Sequence, residues 1–168
     1  MNNNIAKLKT QIRYMVAFFM VALVISGATA IPVESELTVA LTFISPNSML
    51  GSLLATVLDA VQYTQQHYPF LLYGYDWLAF AHFVIAVAFI GVIKDPVKNI
   101  WVLQFGMIAC GMVLPFALIA GGLRGLPIWW RCIDCSFGVI GFIPLWISYR
   151  KAEQLEILIR EDRLNTIF

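Results

Sequence analysis

The chain has 168 residues, of which 60% are hydrophobic and only 12% carry a charge, and its mean hydropathy is +0.79. This composition lies far outside the range of soluble domains and predicts membrane lipid as the main surrounding partner. A net charge of +1 gives no reason to expect a nucleic acid as a partner.

Four long apolar runs set the predicted architecture. Each is about as long as a helix must be to cross a hydrocarbon core of roughly 30 Å. Backbone amides in lipid must be satisfied within their own segment, so these runs predict helices rather than barrel strands. The predicted fold class is all-α, a polytopic membrane protein with a four-transmembrane-helix bundle. The spans are residues 14–31, 76–93, 100–120 and 128–149, within one membrane domain of residues 1–168.

The first run permits a second interpretation. Basic residues precede the apolar stretch Tyr14–Ile25, and residues 28–30 (ATA) have the small-residue pattern of a signal-peptide cleavage site. Pro32 lies just after that site, where a proline usually hinders cleavage. We therefore expect the run to be retained, whereas cleavage would leave three spans.

Residues 32–74 form an extracytoplasmic segment between the first two spans. Within it, residues 36–44 alternate in polarity, which favours a strand, although a lone strand has no partner and a short helix remains open. Residues 45–48 (SPNS) then offer a helix cap. From Leu50 to Val61, apolar residues recur at helical spacing. This pattern predicts an amphipathic extracytoplasmic helix, lying at the interface or over the end of the bundle.

The second half of the chain alternates spans and turns. Residues 94–96 predict a tight turn, and the glycine-rich residues 121–127 predict a turn on the opposite side. Gly138 and Gly141 in the fourth span are small residues that allow helices to approach closely. The tail, residues 150–168, predicts a short amphipathic cytoplasmic helix.

Basic residues are distributed unevenly along the chain. Nine of the eleven Lys and Arg residues precede the first span, lie between the second and third, or follow the fourth. Four crossings place these three regions on one side, so the positive-inside rule predicts a multi-pass protein of the cell inner membrane with cytoplasmic N- and C-termini. The charged residues on the far side are Arg124, Arg131, Glu34, Glu36, Asp59, Asp76 and Asp134.

Ionisable groups in or near the spans are costly and are therefore candidate functional residues. Asp76, Arg124, Arg131 and Asp134 are all predicted at the outer end of the bundle. Arg131 and Asp134 are three residues apart on a helix, so an ion pair between them is available. The structural alternative is that these are ordinary interfacial charges, solvated or paired to fix helix registry.

His82 lies deeper in the second span. Its first interpretation is a packing histidine held by a hydrogen bond, and the alternatives are a proton relay or a ligand contact. Haem of the b type usually needs two axial ligands, and the only other histidine, His67, lies outside the spans. Four soft ligands for zinc are not available either, so we expect no metal site and no cofactor.

Cys132 and Cys135 form a C-x-x-C at the outer end of the fourth span. Helix amides and Arg131 would lower the pKa of Cys132, whereas Asp134 opposes that effect. The four spans, the long outer segment and this motif together resemble the vitamin K epoxide reductase architecture. The resemblance implies a quinone-coupled thiol oxidoreductase with Cys132 and Cys135 as the active pair. Such enzymes relay electrons through a second cysteine pair in the outer segment, and residues 32–74 contain none. Otherwise the two cysteines are small packing side chains.

The leading functional prediction is a small integral membrane protein with an outward-facing polar and aromatic pocket. Such a pocket suits a small amphiphile, lipid or quinone-like, because apolar walls hold the tail and a charged rim orients the head. An accessory role beside other membrane subunits is also open, and the Cys132–Cys135 oxidoreductase is the alternative. The predicted pocket residues are Asp76, His82, Arg124, Trp129, Trp130, Arg131 and Asp134.

Overall fold

The computed structural model describes residues 2–167, so Met1 and Phe168, the ends of the predicted domain, lie outside it. The all-α class is confirmed, since 88% of the chain is helical and no strand occurs among the described residues. The elements are α1 (Asn2–Ala30), α2 (Val33–Phe43), α3 (Met49–His67), a short 3-10 helix (Pro69–Leu71), α4 (Tyr73–Ala88), α5 (Ile90–Lys94), α6 (Ile100–Leu123) and α7 (Ile128–Ile167).

Four stretches of the described chain are long and apolar enough to cross a membrane. They are Asn3–Ala30, Pro69–Lys94, Ile100–Leu123 and Ile128–Asn165, which agree with the four predicted runs. Only 17–28% of each apolar window is buried within the protein. Exposed apolar surface on this scale suits surrounding lipid tails, which are as apolar as leucine. The helices are therefore those expected of a multi-pass membrane protein.

The chain divides into two compact units. The hairpin unit, named here after its α6–α7 pair, comprises Met1–Val21 and Val87–Phe168. The segment unit comprises Ala22–Ala86 and contains α2 and α3.

In the hairpin unit, glycines allow α6 and α7 to pack closely. A Cβ atom at Gly138 of α7 would lie 2.6 Å from the carbonyl oxygen of Cys110 in α6. A Cβ atom at Gly106 of α6 would lie 2.8 Å from the Leu145 Cδ1 of α7, and one at Gly141 would lie 3.1 Å from the Cys110 Sγ. The prediction that Gly138 and Gly141 permit a close helix approach is confirmed.

The first half of α1 packs within the hairpin unit. Ile12 and Val16 are completely buried, and the Arg13 Nε donates to the Ile93 carbonyl oxygen at 2.9 Å. Cleavage after Ala30 would remove all of these contacts, which gives a physical reason to expect that the first span is retained.

The turn between α5 and α6 is held by its own polar side chains. The Asp95 carboxylate accepts a hydrogen bond from the Lys98 amide at 3.1 Å, and the Lys98 Nζ lies 3.6 Å from its other oxygen. The Lys98 amide is the main reason that the pKa of Asp95 lies below its ordinary value; the Lys98 charge adds to this and partial burial opposes it. The Asn99 side chain donates to the Gly91 and Asp95 carbonyls. The predicted tight turn is therefore confirmed.

The fourth predicted span and the predicted tail helix form one continuous helix, α7, with no break at Tyr149. α7 is 40 residues long, about 60 Å at 1.5 Å per residue, or roughly twice the thickness of the hydrocarbon core. Residues 149–153 contain no glycine or proline to end the helix. A fall in hydropathy marks where a span leaves lipid, but it does not stop helical hydrogen bonding. The completely buried Leu155 shows that the tail retains an apolar face.

In the segment unit, the alternating residues 36–44 belong to helix α2, which settles the open choice between strand and helix. The hydroxyls of Thr38 and Thr42 donate to backbone carbonyls one turn earlier. A lone strand would leave its backbone groups unpaired, whereas a helix satisfies them locally.

Helix α3 confirms the predicted cap and amphipathic pattern. The Ser48 Oγ accepts a hydrogen bond from the Gly51 amide at 3.0 Å, as expected of an N-cap residue. Leu54 and Val61 of the apolar stripe are buried. On the polar side, the Gln62 Nε2 donates to a Glu34 carboxylate oxygen at 3.1 Å, which connects α3 to α2.

Candidate functional site

The first turns of α4 carry a row of aromatic side chains. Tyr73, Trp77 and Phe80 are separated by four and three residues, so they lie on one side of the helix. Neighbouring rings meet edge to face, with centroids 6.0 Å apart for Tyr73–Trp77 and 5.5 Å apart for Trp77–Phe80. Trp77 and Phe80 are each 54% exposed. The row therefore offers aromatic surface to a neighbouring molecule.

Asp76, also in the first turn of α4, lies at the border of two clefts in the segment unit. The smaller cleft, about 260 Å³, is lined by Asp76 and the aromatic row. The larger cleft, about 390 Å³, shares Tyr73 and Asp76 with the first. Its other walls are Ile31, Val33, Gln65, Pro69, Leu72 and Tyr75. The Asp76 side chain is exposed, and no hydrogen bond or ion pair ties it to another described residue.

The end of α3 and the 3-10 helix build the wall of the larger cleft. Pro69 begins the 3-10 helix, a position that suits its fixed φ and missing N–H. Just before it, the Tyr63 and His67 rings stack with centroids 4.1 Å apart. The His67 Nδ1 also donates to the Tyr63 carbonyl oxygen at 2.9 Å. These local contacts stabilise the change of chain direction between α3 and the 3-10 helix. Gln65 and Pro69, on either side of it, both line the larger cleft.

His82 of α4 is half-buried and bonded to its own helix. Its Nδ1 lies 2.7 Å from the Leu78 carbonyl oxygen. Because a carbonyl only accepts, Nδ1 is the donor of this hydrogen bond. A Cβ atom at Gly27 of α1 would lie 2.9 Å from the His82 Cβ and 3.0 Å from the Ala79 carbonyl oxygen. These contacts match the first interpretation, a packing histidine held by a hydrogen bond.

In the hairpin unit, Arg131 bonds to backbone carbonyls. Its Nε donates to the Leu126 carbonyl oxygen at 2.9 Å, and its Nη1 donates to that of Leu118 at 3.3 Å. Its side chain lies over Gly121, where a Cβ atom would be 2.8 Å from the Arg131 Cγ. Arg131 thus joins the start of α7 to the end of α6, a role that suits a planar group donating in two directions.

The available ion pair between Arg131 and Asp134 is not formed among the described residues. Asp134 is half-buried, and Arg124 is exposed at the end of α6. Trp129 and Trp130 are half-buried, with ring centroids 5.6 Å apart. Of the predicted pocket residues, Asp76 and His82 belong to the segment unit and the other five to the hairpin unit.

Cys110, Cys132 and Cys135 are free thiols in the structure. Cys132 is exposed, whereas Cys135 is half-buried with its Sγ 3.8 Å from the Leu114 carbonyl oxygen. The Arg131 guanidinium, expected to favour a thiolate at Cys132, bonds to carbonyls instead. Among the described residues, no group of three or more His, Cys, Asp or Glu side chains is placed to hold a metal ion.

The predicted pocket leaves out several residues that line the clefts. Tyr73, Trp77, Phe80 and Gln65 are not among its residues. The spacing of residues 73, 77 and 80 was a usable signal, because it predicts one aromatic face beside Asp76. No sequence pattern predicted that Gln65 would line the larger cleft, because its place there depends on the change of chain direction after α3.

No protein-family model, curated protein or solved structure matches this chain.

Proposed function

We propose that this chain is an integral protein of the inner membrane that binds a small amphiphile in the clefts beside Asp76. Its four crossings form a bundle, both termini lie in the cytoplasm, and the clefts face the opposite side. One observation carries the proposal: the Asp76 carboxylate has no partner among the described residues and borders a cleft walled by aromatic rings. Ligand sites commonly combine apolar walls with a few convergent polar groups.

The sizes of the clefts support a ligand of this kind. Small-molecule pockets span about 300–1,000 Å³. The larger cleft, about 390 Å³, lies within this range; the smaller, about 260 Å³, lies just below it and shares Tyr73 and Asp76 with the larger one. An apolar tail along Trp77 and Phe80 would place a polar head beside Asp76. Lipids and quinone-like molecules both have this division into tail and head.

The binding test compares two tryptophans of similar exposure. Trp77 is 54% exposed beside Asp76, and Trp146, on α7, is 51% exposed and lines neither cleft. A photoreactive amphiphile is offered to the purified protein in lipid nanodiscs, and labelled peptides are identified by mass spectrometry. We expect Trp77→Leu to weaken labelling of the α4 peptide about tenfold, because leucine offers the ligand less apolar area than tryptophan. A loss of about 50 Å² at about 25 cal/mol per Å² costs about 1.3 kcal/mol.

Trp146→Leu is the control and should leave labelling unchanged. Equal labelling of wild-type protein and both variants would contradict binding at this site, as would labelling confined to α6 and α7.

An accessory role beside other membrane subunits is part of the same proposal. α7 is about twice as long as a crossing requires, so it offers a helical surface beyond the membrane to a partner. Mild detergent extraction followed by mass spectrometry would detect a stable partner, and a protein purified alone from its native membrane would contradict one.

The alternative is a thiol oxidoreductase, and the exposure of Cys132 favours it. Oxidation of Cys132 and Cys135 to a disulfide would release two electrons and two protons to a quinone, forming the quinol. Thiol trapping in cells should then find the pair partly oxidised, with loss of that signal in Cys132→Ser. This function would be contradicted if Cys132 and Cys135 both stayed reduced while oxidised quinone was available to accept their electrons.

A further inference from the structure

Building on the proposed function, we propose that the amphiphile bound beside Asp76 has a cationic head, an amine or a quaternary ammonium. The claim concerns the class of ligand at this site, and it rests on the charge and the ring chemistry of the segment unit.

The charge of the segment unit is of one sign. Ala22–Ala86 contains no Lys or Arg, whereas it contains four acidic residues: Glu34, Glu36, Asp59 and Asp76. Of these, Asp76 lines both clefts, and no basic side chain lines either one. A neutral head that excludes water would leave the carboxylate without a compensating charge, and an anionic head would be repelled. A cationic head pairs with it.

The aromatic row provides the second attraction. The electron-rich faces of tryptophan and tyrosine attract cations, including quaternary ammonium groups that cannot donate a hydrogen bond. Tyr73 and Trp77 flank Asp76 in the sequence and line the same cleft. Their edge-to-face contact, with an interplanar angle of 82°, covers the edge of one ring and part of one face of the other. Both side chains remain more than half exposed, with Tyr73 at 59% and Trp77 at 54%. A head at Asp76 would meet these rings, and its tail would continue toward Phe80.

The test compares three amphiphiles that share an octyl tail: octyltrimethylammonium, octyl glucoside and octyl sulfate. Each is titrated into protein-containing nanodiscs by calorimetry, with empty nanodiscs subtracted. We expect the ammonium compound to bind most tightly and the sulfate least tightly. Asp76→Asn should weaken ammonium binding about fivefold, the upper range for an exposed ion pair, and should leave glucoside binding unchanged.

Asp59→Asn is the matched control, because Asp59 is an exposed carboxylate of the same unit that lines neither cleft. It should leave all three affinities unchanged. If Asp59→Asn lowered ammonium affinity as much as Asp76→Asn, the overall charge of the protein, and not this site, would attract the head. That result would overturn the inference.

The outcomes separate this inference from the proposed function. Equal binding of all three amphiphiles, lost in Trp77→Leu, would overturn the cationic head and keep the amphiphile site. Tighter binding of octyl sulfate at the same site would also overturn the cationic head and keep the amphiphile site. Absence of saturable binding for all three compounds would overturn both.

Discussion

The two units of this protein differ in packing and in charge. In the hairpin unit the helices approach through glycines, and large side chains such as Phe89, Leu103 and Leu145 are completely buried. Among the described residues, the segment unit has fewer buried hydrophobic residues, and none of its large side chains is completely buried. The hairpin unit also holds all eleven Lys and Arg residues, whereas the segment unit has none. Close packing and open acidic clefts are therefore found in different parts of one chain.

This difference suggests a division of roles. Close helix packing resists local opening, whereas exposed aromatic surface beside an unpaired carboxylate suits a binding site. Substitutions at the contacts of the hairpin unit should therefore affect global stability most, and those in the segment unit should act locally.

The largest effect is expected from Gly138→Ala. The added methyl group would approach the Cys110 carbonyl oxygen of α6, a backbone atom that cannot move without shifting the helix. Forced overpacking of this kind costs about 1–3 kcal/mol, measurable by reversible unfolding in SDS.

Gly111→Ala on α6 is the control, because a Cβ atom there meets no atom within 4 Å. It should leave the free energy of unfolding unchanged or raise it slightly, since alanine favours a helix more than glycine does. Equal destabilisation by both substitutions would show that close approach at Gly138 is not what stabilises the unit.

Arg131→Lys should have the next largest effect. Lysine keeps the charge but loses the planar group that reaches the Leu118 and Leu126 carbonyls together. We expect a loss of about 1–2 kcal/mol in the free energy of unfolding. Arg124→Lys, at an exposed position in the same turn, should be neutral. A neutral Arg131→Lys would mean that the two hydrogen bonds contribute little.

In the segment unit, Ser48→Ala tests whether substitutions act locally. Loss of the hydrogen bond to the Gly51 amide should cost about 1 kcal/mol at the start of α3. Hydrogen exchange of the Gly51 amide should become faster, with little change in α6 or α7. Ser52→Ala, at an exposed position one turn later, is the control. Faster exchange throughout α6 and α7 would contradict separate roles for the units.

Local sequence patterns predicted those structural features that depend mainly on residues close together in the chain. The four long apolar helices followed from run length, the cap of α3 from residues 45–48, and the close helix contact from Gly138. The continuity of α7 was missed because hydropathy reports burial in lipid, whereas helix ends depend on capping and breaking residues, and Lys151 is neither.

The candidate site was harder to predict because its charges depend on tertiary contacts. Spacing alone made an Arg131–Asp134 pair available, but the Leu118 and Leu126 carbonyls bind the guanidinium instead. Asp76 became a candidate because an acid beside a span is costly, and the structure places it on the wall of two clefts. Gln65, which lines the larger cleft with Asp76, comes from another helix, and nothing in a single sequence specifies that the two share a cleft.

The smallest effect is expected at Asp95 in the turn of the hairpin unit. Because the folded state lowers the pKa of this carboxyl, the ionised form stabilises the fold at neutral pH. That contribution is lost as the pH falls through the folded-state pKa. Asp95→Asn should therefore cost about 0.5 kcal/mol at pH 7, given the exposure of the group. The difference from wild-type protein should vanish in acid.

Lys98→Gln separates the two interactions that stabilise the Asp95 carboxylate, the hydrogen bond from the Lys98 amide and the charge of the Lys98 side chain. The Lys98 amide lowers the pKa of Asp95 more than the Lys98 charge does, and the substitution removes the charge while keeping the amide. Most of the pH dependence should therefore survive in Lys98→Gln and disappear in Asp95→Asn, as measured by unfolding titrations from pH 7 into acid. Complete loss in Lys98→Gln would mean that the exposed ion pair, and not the turn backbone, holds this carboxylate. In that case high salt should also abolish the pH dependence of stability in the wild-type protein, because screening acts on exposed charges far more than on a short hydrogen bond.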